Sequence, residues 1–263
     1  MSPARLFFTL SLAASCAAAL AHDTWFEALP ASATAPAPAA PLLALGTGNQ
    51  FPLFDSGIDM AYVLRQGCRT VDGPPRALQR VRNDDTTLVL RPPAGASTCW
   101  VQLQPFEVEL AADKIEIYLK DILATPEVRT TWAAMHARGL PWRERYTKHA
   151  RIELGAASAE RTPLGLDLHI ESEGQPLRAG QTMTVQALRD GLPLAGLALE
   201  LRSDTTPLGL WRRTDAQGRI QVPLPFAGHW LLRGVDLRVA KDPAGQPQRW
   251  ESRFVTLAFD VPG

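Results

Sequence analysis

The chain has 263 residues, with 27 Lys and Arg against 27 Asp and Glu, and three cysteines. Zero net charge excludes a strongly basic surface for nucleic acid or an anionic membrane face. Past the N-terminal segment, no apolar run reaches the ~18 residues of a bilayer crossing, so no membrane insertion is expected.

The chain begins with the three parts of a secretory signal. Arg5 is the lone positive charge, residues 6–14 are an apolar run too short to span a bilayer, and Ala19 and Ala21 are the small residues of a cleavage site. Residues 1–21 are therefore expected to be removed, leaving a periplasmic protein that starts at His22. Cys16 is not followed by a typical lipobox, which argues against a lipid anchor. Loss of Arg5 with the leader leaves 26 basic against 27 acidic side chains. Cys68 and Cys99 remain; in an oxidising compartment they are expected to form one disulfide between neighbouring strands.

The next apolar pair, Trp25 and Phe26, suggests that the new N-terminus docks on the fold. Residues 30–41 are a Pro/Ala tract expected to be extended or mobile. From 42 to about 110 the pattern is β, with runs at 60–65, 86–91 and 98–103 separated by Gly, Pro and Asp. Residues 111–150 read as a helical insert. Ile115, Leu119 and Ile122 recur at helical spacing, and Thr125-Pro126 is a cap followed by Pro at the first helical position. Val128, Trp132 and Met135 form a stripe, Gly139 is a stop, and 142–146 reads as a short helix or turn. From 151 onward, strands are expected at 164–170, 182–188, 197–201, 219–222, 230–234 and 254–259, with turns at Arg189-Asp190-Gly191, Asp215-Ala216-Gln217-Gly218 and Asp242-Pro243-Ala244-Gly245. Regular short strands with marked turns suggest a sandwich of the immunoglobulin or transthyretin kind. The expected organisation is mainly β: a signal peptide (1–21), an N-terminal β-rich domain (22–110), a helical insert (111–150) and a C-terminal β-sandwich (151–263).

Several phrases carry a family likeness: Ala21-His22-Asp23-Thr24-Trp25, the stretch from Trp142 to Ala150, Thr214-Asp215-Ala216-Gln217-Gly218-Arg219, Ala227-Gly228-His229-Trp230, and Trp250 to Thr256. Together they make the mature chain similar to the bacterial periplasmic family called domain of unknown function 4198. The resemblance implies a periplasmic component of nickel or cobalt uptake. It also implies a C-terminal β-sandwich like a carboxypeptidase regulatory domain.

A histidine at a free N-terminus offers both an α-amino group and an imidazole, a chelate that no internal histidine can make. His22 is thus the leading metal-ligand candidate, and Asp23 can add a carboxylate oxygen. No histidine pair has a local metal spacing, so His149 and His229 are candidates to complete the site through the fold. Each has an ordinary alternative as a hydrogen-bonded strand histidine, and two basic neighbours of His149 disfavour an added cation. His169 alternates with Leu168 and Ile170, which places it with Asp167 and Glu171 on the solvent side of a strand. His136 lies on a helix surface. Nucleophilic and nucleotide-binding motifs are lacking: there is no Gly-x-Ser-x-Gly and no Walker-type or dinucleotide glycine loop. Glu107 and Glu109 read as a solvated strand face, and Arg212-Arg213 as a guarded sheet edge.

The expected function is therefore non-enzymatic binding or delivery of a transition metal (nickel, cobalt or copper). The ion would pass to a membrane metal transporter or come from an outer-membrane receptor. The alternatives are a metal-free β-sandwich module for protein or carbohydrate contact, and a copper oxidase built on a histidine brace. That last needs a second histidine facing the first.

Overall fold

A computed structural model describes residues 22–30, 41–70, 73–155, 161–171 and 176–263. The expected leader and most of the Pro/Ala tract lie outside these. The described residues begin with β1 (Asp23–Ala28), β2 (Leu43–Gly48) and β3 (Ser56–Gly57). A 3-10 turn at Met60–Tyr62 leads into β4 (Val63–Thr70), β5 (Gln79–Asn83), β6 (Leu88–Arg91), β7 (Ala96–Leu103) and β8 (Phe106–Leu110). Helices α1 (Ala112–Asp121) and α2 (Pro126–Ala137) precede β9 (Trp142–Glu153). Then come β10 (Leu166–Ile170), β11 (Thr182–Arg189), β12 (Leu192–Pro193) and β13 (Ala198–Ser203). The last strands are β14 (Thr206–Arg213), β15 (Arg219–Pro223), β16 (Gly228–Lys241) and β17 (Pro247–Val261).

The fold is mainly β, and the described residues form three sheets. A central eight-stranded sheet runs β14-β13-β16-β17-β9-β7-β4, with β8 also on β9. The N-terminal sheet is β1-β2-β6-β5 with β3 on β2, and the third is β10-β11-β12 with β15 on β11. Side chains alternate between the faces of a strand, and that alternation makes the central sheet two-sided. On β16, Trp230 and Leu232 enter the core shared with the third sheet, joined by Val255, Leu257 and Phe259 of β17. Leu231 of β16 and Ala258 of β17 face the other way, into the core around Trp25, Phe26, Leu43 and Leu45. A third core lies under the helices, where Ile115, Leu119, Trp132 and Met135 meet Trp142, Trp250 and Phe254. Thr125 caps α2 as its sequence suggests, its hydroxyl accepting from the Val128 N–H.

Three expectations about local structure change. The strand expected at 60–65 begins only at Val63, because Asp59 caps the preceding turn by accepting from the Ala61 N–H. Residues 142–146 are not a helix or turn but the start of β9, where Trp142 and Glu144 are buried and Arg143 and Arg145 exposed. That period of two belongs to a strand. β9 pairs in parallel with β17, from Trp250 opposite Glu144 to Ala258 opposite Ile152. It thereby crosses the boundary expected at 150/151, and the two sandwich-like units share one sheet. The third change is His169, which lies only 5% exposed beside Asp167 at 1%, not on the solvent side.

Strand β1 docks on the fold, as the Trp25-Phe26 pair suggests. β1 pairs antiparallel with β2, and Trp25 and Phe26 are 1% and 0% exposed. Burial of two such rings contributes about 2–3 kcal/mol each. Trp25 stacks on Phe54 at 4.8 Å and meets Phe51 edge-on. Gly48 makes room for it: a Cβ there would stand 2.7 Å from the indole and 2.3 Å from the Leu53 carbonyl oxygen. The expected disulfide joins Cys68 and Cys99, which are register partners on β4 and β7.

β1 is also clamped to the central sheet, the Thr256 hydroxyl donating to the Thr24 carbonyl at 2.6 Å. Thr256→Val keeps the shape and removes the donor. It is expected to lower stability by about 1 kcal/mol and to raise amide exchange selectively in β1. Denaturant melts with hydrogen-exchange mass spectrometry check this; unchanged β1 exchange would show that the clamp holds nothing.

Candidate functional site

Where β1 begins, a buried cluster of charge forms against the central sheet. Its centre is Arg233 of β16, on the same strand face as Leu231 and only 3% exposed. Its Nε donates to Glu200 of β13 at 2.7 Å. Nη1 donates to Asp23 at 3.2 Å and to Asp121 at 3.1 Å, and Nη2 donates to the other Asp121 oxygen at 3.0 Å. One guanidinium thus ties β1, the end of α1, β13 and β16 together. Glu200 also accepts from Arg202 at 2.9 Å, and Trp211 of β14 lies 5.6 Å from the Arg233 guanidinium. Gly209 lets Glu200 cross β14, since a Cβ there would collide with the carboxylate.

Asp23 is 3% exposed. Burial raises its pKa, and the Arg233 charge opposes that rise. Its Oδ2 is held by Arg233, while Oδ1 is buried with no hydrogen-bond partner among the described residues. His22, half-buried just before β1, is pushed below the ordinary histidine value by burial and then by the Lys148 charge, so its imidazole is neutral at pH 7. Lys148 of β9 is lowered to about 8 by burial, against the pull of Asp23. Its ammonium lies 5.8 Å from the centre of the Tyr146 ring. Asp55 also acts on His22; its Oδ2 accepts from the Asn49 backbone N–H and side-chain amide.

A family model described as a domain of unknown function (DUF4198) matches residues 19–235. The chain belongs to this family. No curated protein matches the chain, and no solved structure does.

In this DUF4198 chain, His22 and Asp23 lie together at the start of β1, but the other two expected ligands lie elsewhere. His149 follows Lys148 on β9, so it faces the opposite side of the central sheet. It is 1% exposed, and its Nδ1 donates to the Phe254 carbonyl at 3.0 Å. Its other nitrogen faces Gly165. That side carries its own buried ion cluster, Arg151 with Glu153 and Asp167. His229 is exposed, with Nδ1 2.6 Å from Asp260. It acts on Glu27, which lies four residues along β1 from Asp23, about 13 Å at strand rise. Among the described residues, no group of three or more His, Cys, Asp or Glu is placed to hold a metal.

The sequence reading missed Lys148, Arg233, Asp121, Glu200 and Arg202. One signal was present: Arg233 stands alone as a charge in the run 230–235, and a charge buried in an apolar strand needs partners. The expected edge at Arg212-Arg213 is strand β14, where Arg213 donates to the Leu123 and Gly196 carbonyls.

Burial holds the His149 pKa at about 4, against an ordinary 6.5. A histidine depressed in the fold takes up its proton first in the unfolded chain. Its stabilisation is therefore complete above pH 6.5 and lost as pH falls towards 4. His149→Asn, which keeps a donor for Phe254, is expected to remove on the order of 2–3 kcal/mol of that acid-dependent loss. Urea midpoints between pH 4 and 7 read this out; parallel pH profiles for the two proteins would refute it.

Proposed function

We propose that this protein is a periplasmic, non-enzymatic binder of a transition metal (nickel, cobalt or copper), which takes the ion at the processed start of the chain. The observation that carries this reading is Asp23: its Oδ1 is buried without a partner among the described residues, in the residue next to a neutral His22. A buried carboxylate oxygen with no donor costs free energy unless a cation or proton meets it. The fit covers part of a coordination sphere. His22 would supply its imidazole and, after cleavage at Ala21, its α-amine, and Asp23 would supply Oδ1.

The rest of the cluster serves positioning. Arg233 holds Asp23 through Oδ2 and keeps Oδ1 fixed, while β1 is locked by Trp25, Phe26 and the Thr256 clamp. The imidazole is already neutral, so the proton released on binding comes from the α-amine, whose ordinary pKa is near ~8. Affinity therefore falls as pH drops below that value. Nickel and copper suit such nitrogen-rich sets, copper most strongly. Delivery to a membrane metal transporter, or receipt from an outer-membrane receptor, belongs to the same reading.

The test uses the chain exported with its own leader and purified untagged. Adding one glycine ahead of His22 moves the α-amine out of the chelate. Nickel or copper affinity by calorimetry at pH 7.5 is then expected to fall by about a hundredfold, near 3 kcal/mol. Equal affinity in both forms, or a mature start other than His22 by mass spectrometry, would sink the reading.

A further inference from the structure

Strands β13 and β16 pair only as far as Leu199 opposite Gly234, while β16 continues to Lys241. Beyond that pair, the corner between α1 and α2 and the loop leading into β13 close on β16. They leave a cavity of about 190 Å³ whose apolar lining includes Leu123, Val128, Leu194, Leu197, Val235 and Leu237. It shares no lining residue with the cluster around Arg233. An engineered apolar cavity of about 150 Å³ takes up benzene, so this one has room for a single ring or a short chain.

Leu123 stands where helix endings favour glycine. The Ala124 N–H donates to the Leu119 carbonyl at 2.9 Å and the Leu123 N–H to the Lys120 carbonyl at 3.2 Å. These two bonds make a Schellman ending, which places the residue after the cap in the left-handed region. Leu123 adopts φ 46° there, a conformation in which a Cβ is strained. The side chain is 38% exposed, so burial in the core only partly offsets the strain. Backbone strain of this kind gathers at ligand clamps, and the Leu123 side chain lines the cavity.

The polar part of the lining points the same way. Arg213 of β14 donates to the Leu123 carbonyl at 2.6 Å and to the Gly196 carbonyl at 3.0 Å. Its guanidinium therefore spans the space between the helix corner and the loop. A guanidinium has five donors, and these bonds use two. Asp236, which also lines the cavity, is engaged by Arg189 and Arg238. Among the described residues, Arg213 has no carboxylate partner.

An apolar cavity with one unneutralised guanidinium fits a guest that is greasy at one end and anionic at the other. We propose that it binds a small apolar monocarboxylate. The hydrocarbon packs against Leu123, Val235 and Leu237, and the carboxylate accepts from the remaining N–H groups of Arg213. The site is independent of the metal reading and would survive its failure.

Calorimetry on the untagged exported chain tests this with benzoate and with benzyl alcohol, a neutral counterpart of similar size. Benzoate is expected to saturate the native chain and to bind about tenfold more tightly than benzyl alcohol. Arg213→Gln is expected to erase that preference, because the amide keeps a donor and loses the charge. Leu123→Gly is expected to hold or raise the thermal midpoint, since glycine suits the left-handed position, while weakening benzoate roughly fivefold. Ala195→Phe, at an exposed lining residue, fills the cavity and is expected to abolish binding. Absence of saturable benzoate binding, equal affinity for benzyl alcohol, or unchanged benzoate affinity in Ala195→Phe would each overturn the proposal. A Leu123→Gly chain with a lower midpoint and native benzoate affinity would refute the clamp and leave Leu123 a packing residue.

Discussion

The placement of β1 depends on a buried guanidinium. Arg233 meets Asp23, Asp121 and Glu200 at hydrogen-bond distance while almost fully excluded from water. Removing one partner of such a set leaves an uncompensated charge, a loss of about 3–5 kcal/mol in comparable cases. The first strand, the end of the first helix and two strands of the central sheet therefore have one mutually consistent arrangement. The position of the chain start follows from that arrangement, and so does the chemistry that gathers around it. The Lys148 charge reaches His22 because β1 is held over β9 and β17.

The mirror of this cluster lies across the same sheet. Arg151, Glu153 and Asp167 are buried against the third sheet, with the Thr98 hydroxyl donating to Glu153. A sheet covered on both faces would normally be apolar throughout. Here each face carries one charged knot, and each knot is centred on an arginine, whose planar fork satisfies several carboxylate oxygens at once. These knots restrict which layers can stack on which face, a restriction that apolar packing alone supplies weakly.

Much of the local structure was readable from the sequence. Alternating apolar residues marked most strands, Thr125-Pro126 marked the start of a helix, and Cys68 and Cys99 marked a bridge. The errors came where period and partner part company. Trp142, Glu144 and Tyr146 alternate as a strand does, but Arg143 and Arg145 between them gave the stretch a polar, turn-like look. His169 sat on the polar side of its strand by alternation, and a neighbour from a distant segment then covered that side. Strand β9 runs across the expected 150/151 boundary for the same reason: β9 and β17 lie about a hundred residues apart in the chain, and nothing local announces that they pair. The site shows the same split. His22 and Asp23 are adjacent, and a cleavage pattern draws attention to them. Lys148, Arg233, Asp121 and Glu200 come from four separate elements and share no spacing.

The contacts that build this site have a temporal consequence. Arg233 and Asp23 are 210 positions apart, and Thr256 and Thr24 are 232 apart. The first residues to emerge therefore wait for nearly the last before their surroundings exist. Until β16 has been delivered, Asp23 lacks Arg233, and until β17 follows, Thr24 lacks its Thr256 clamp. A chain that stops before β16 therefore lacks the contacts that fix its own first strand.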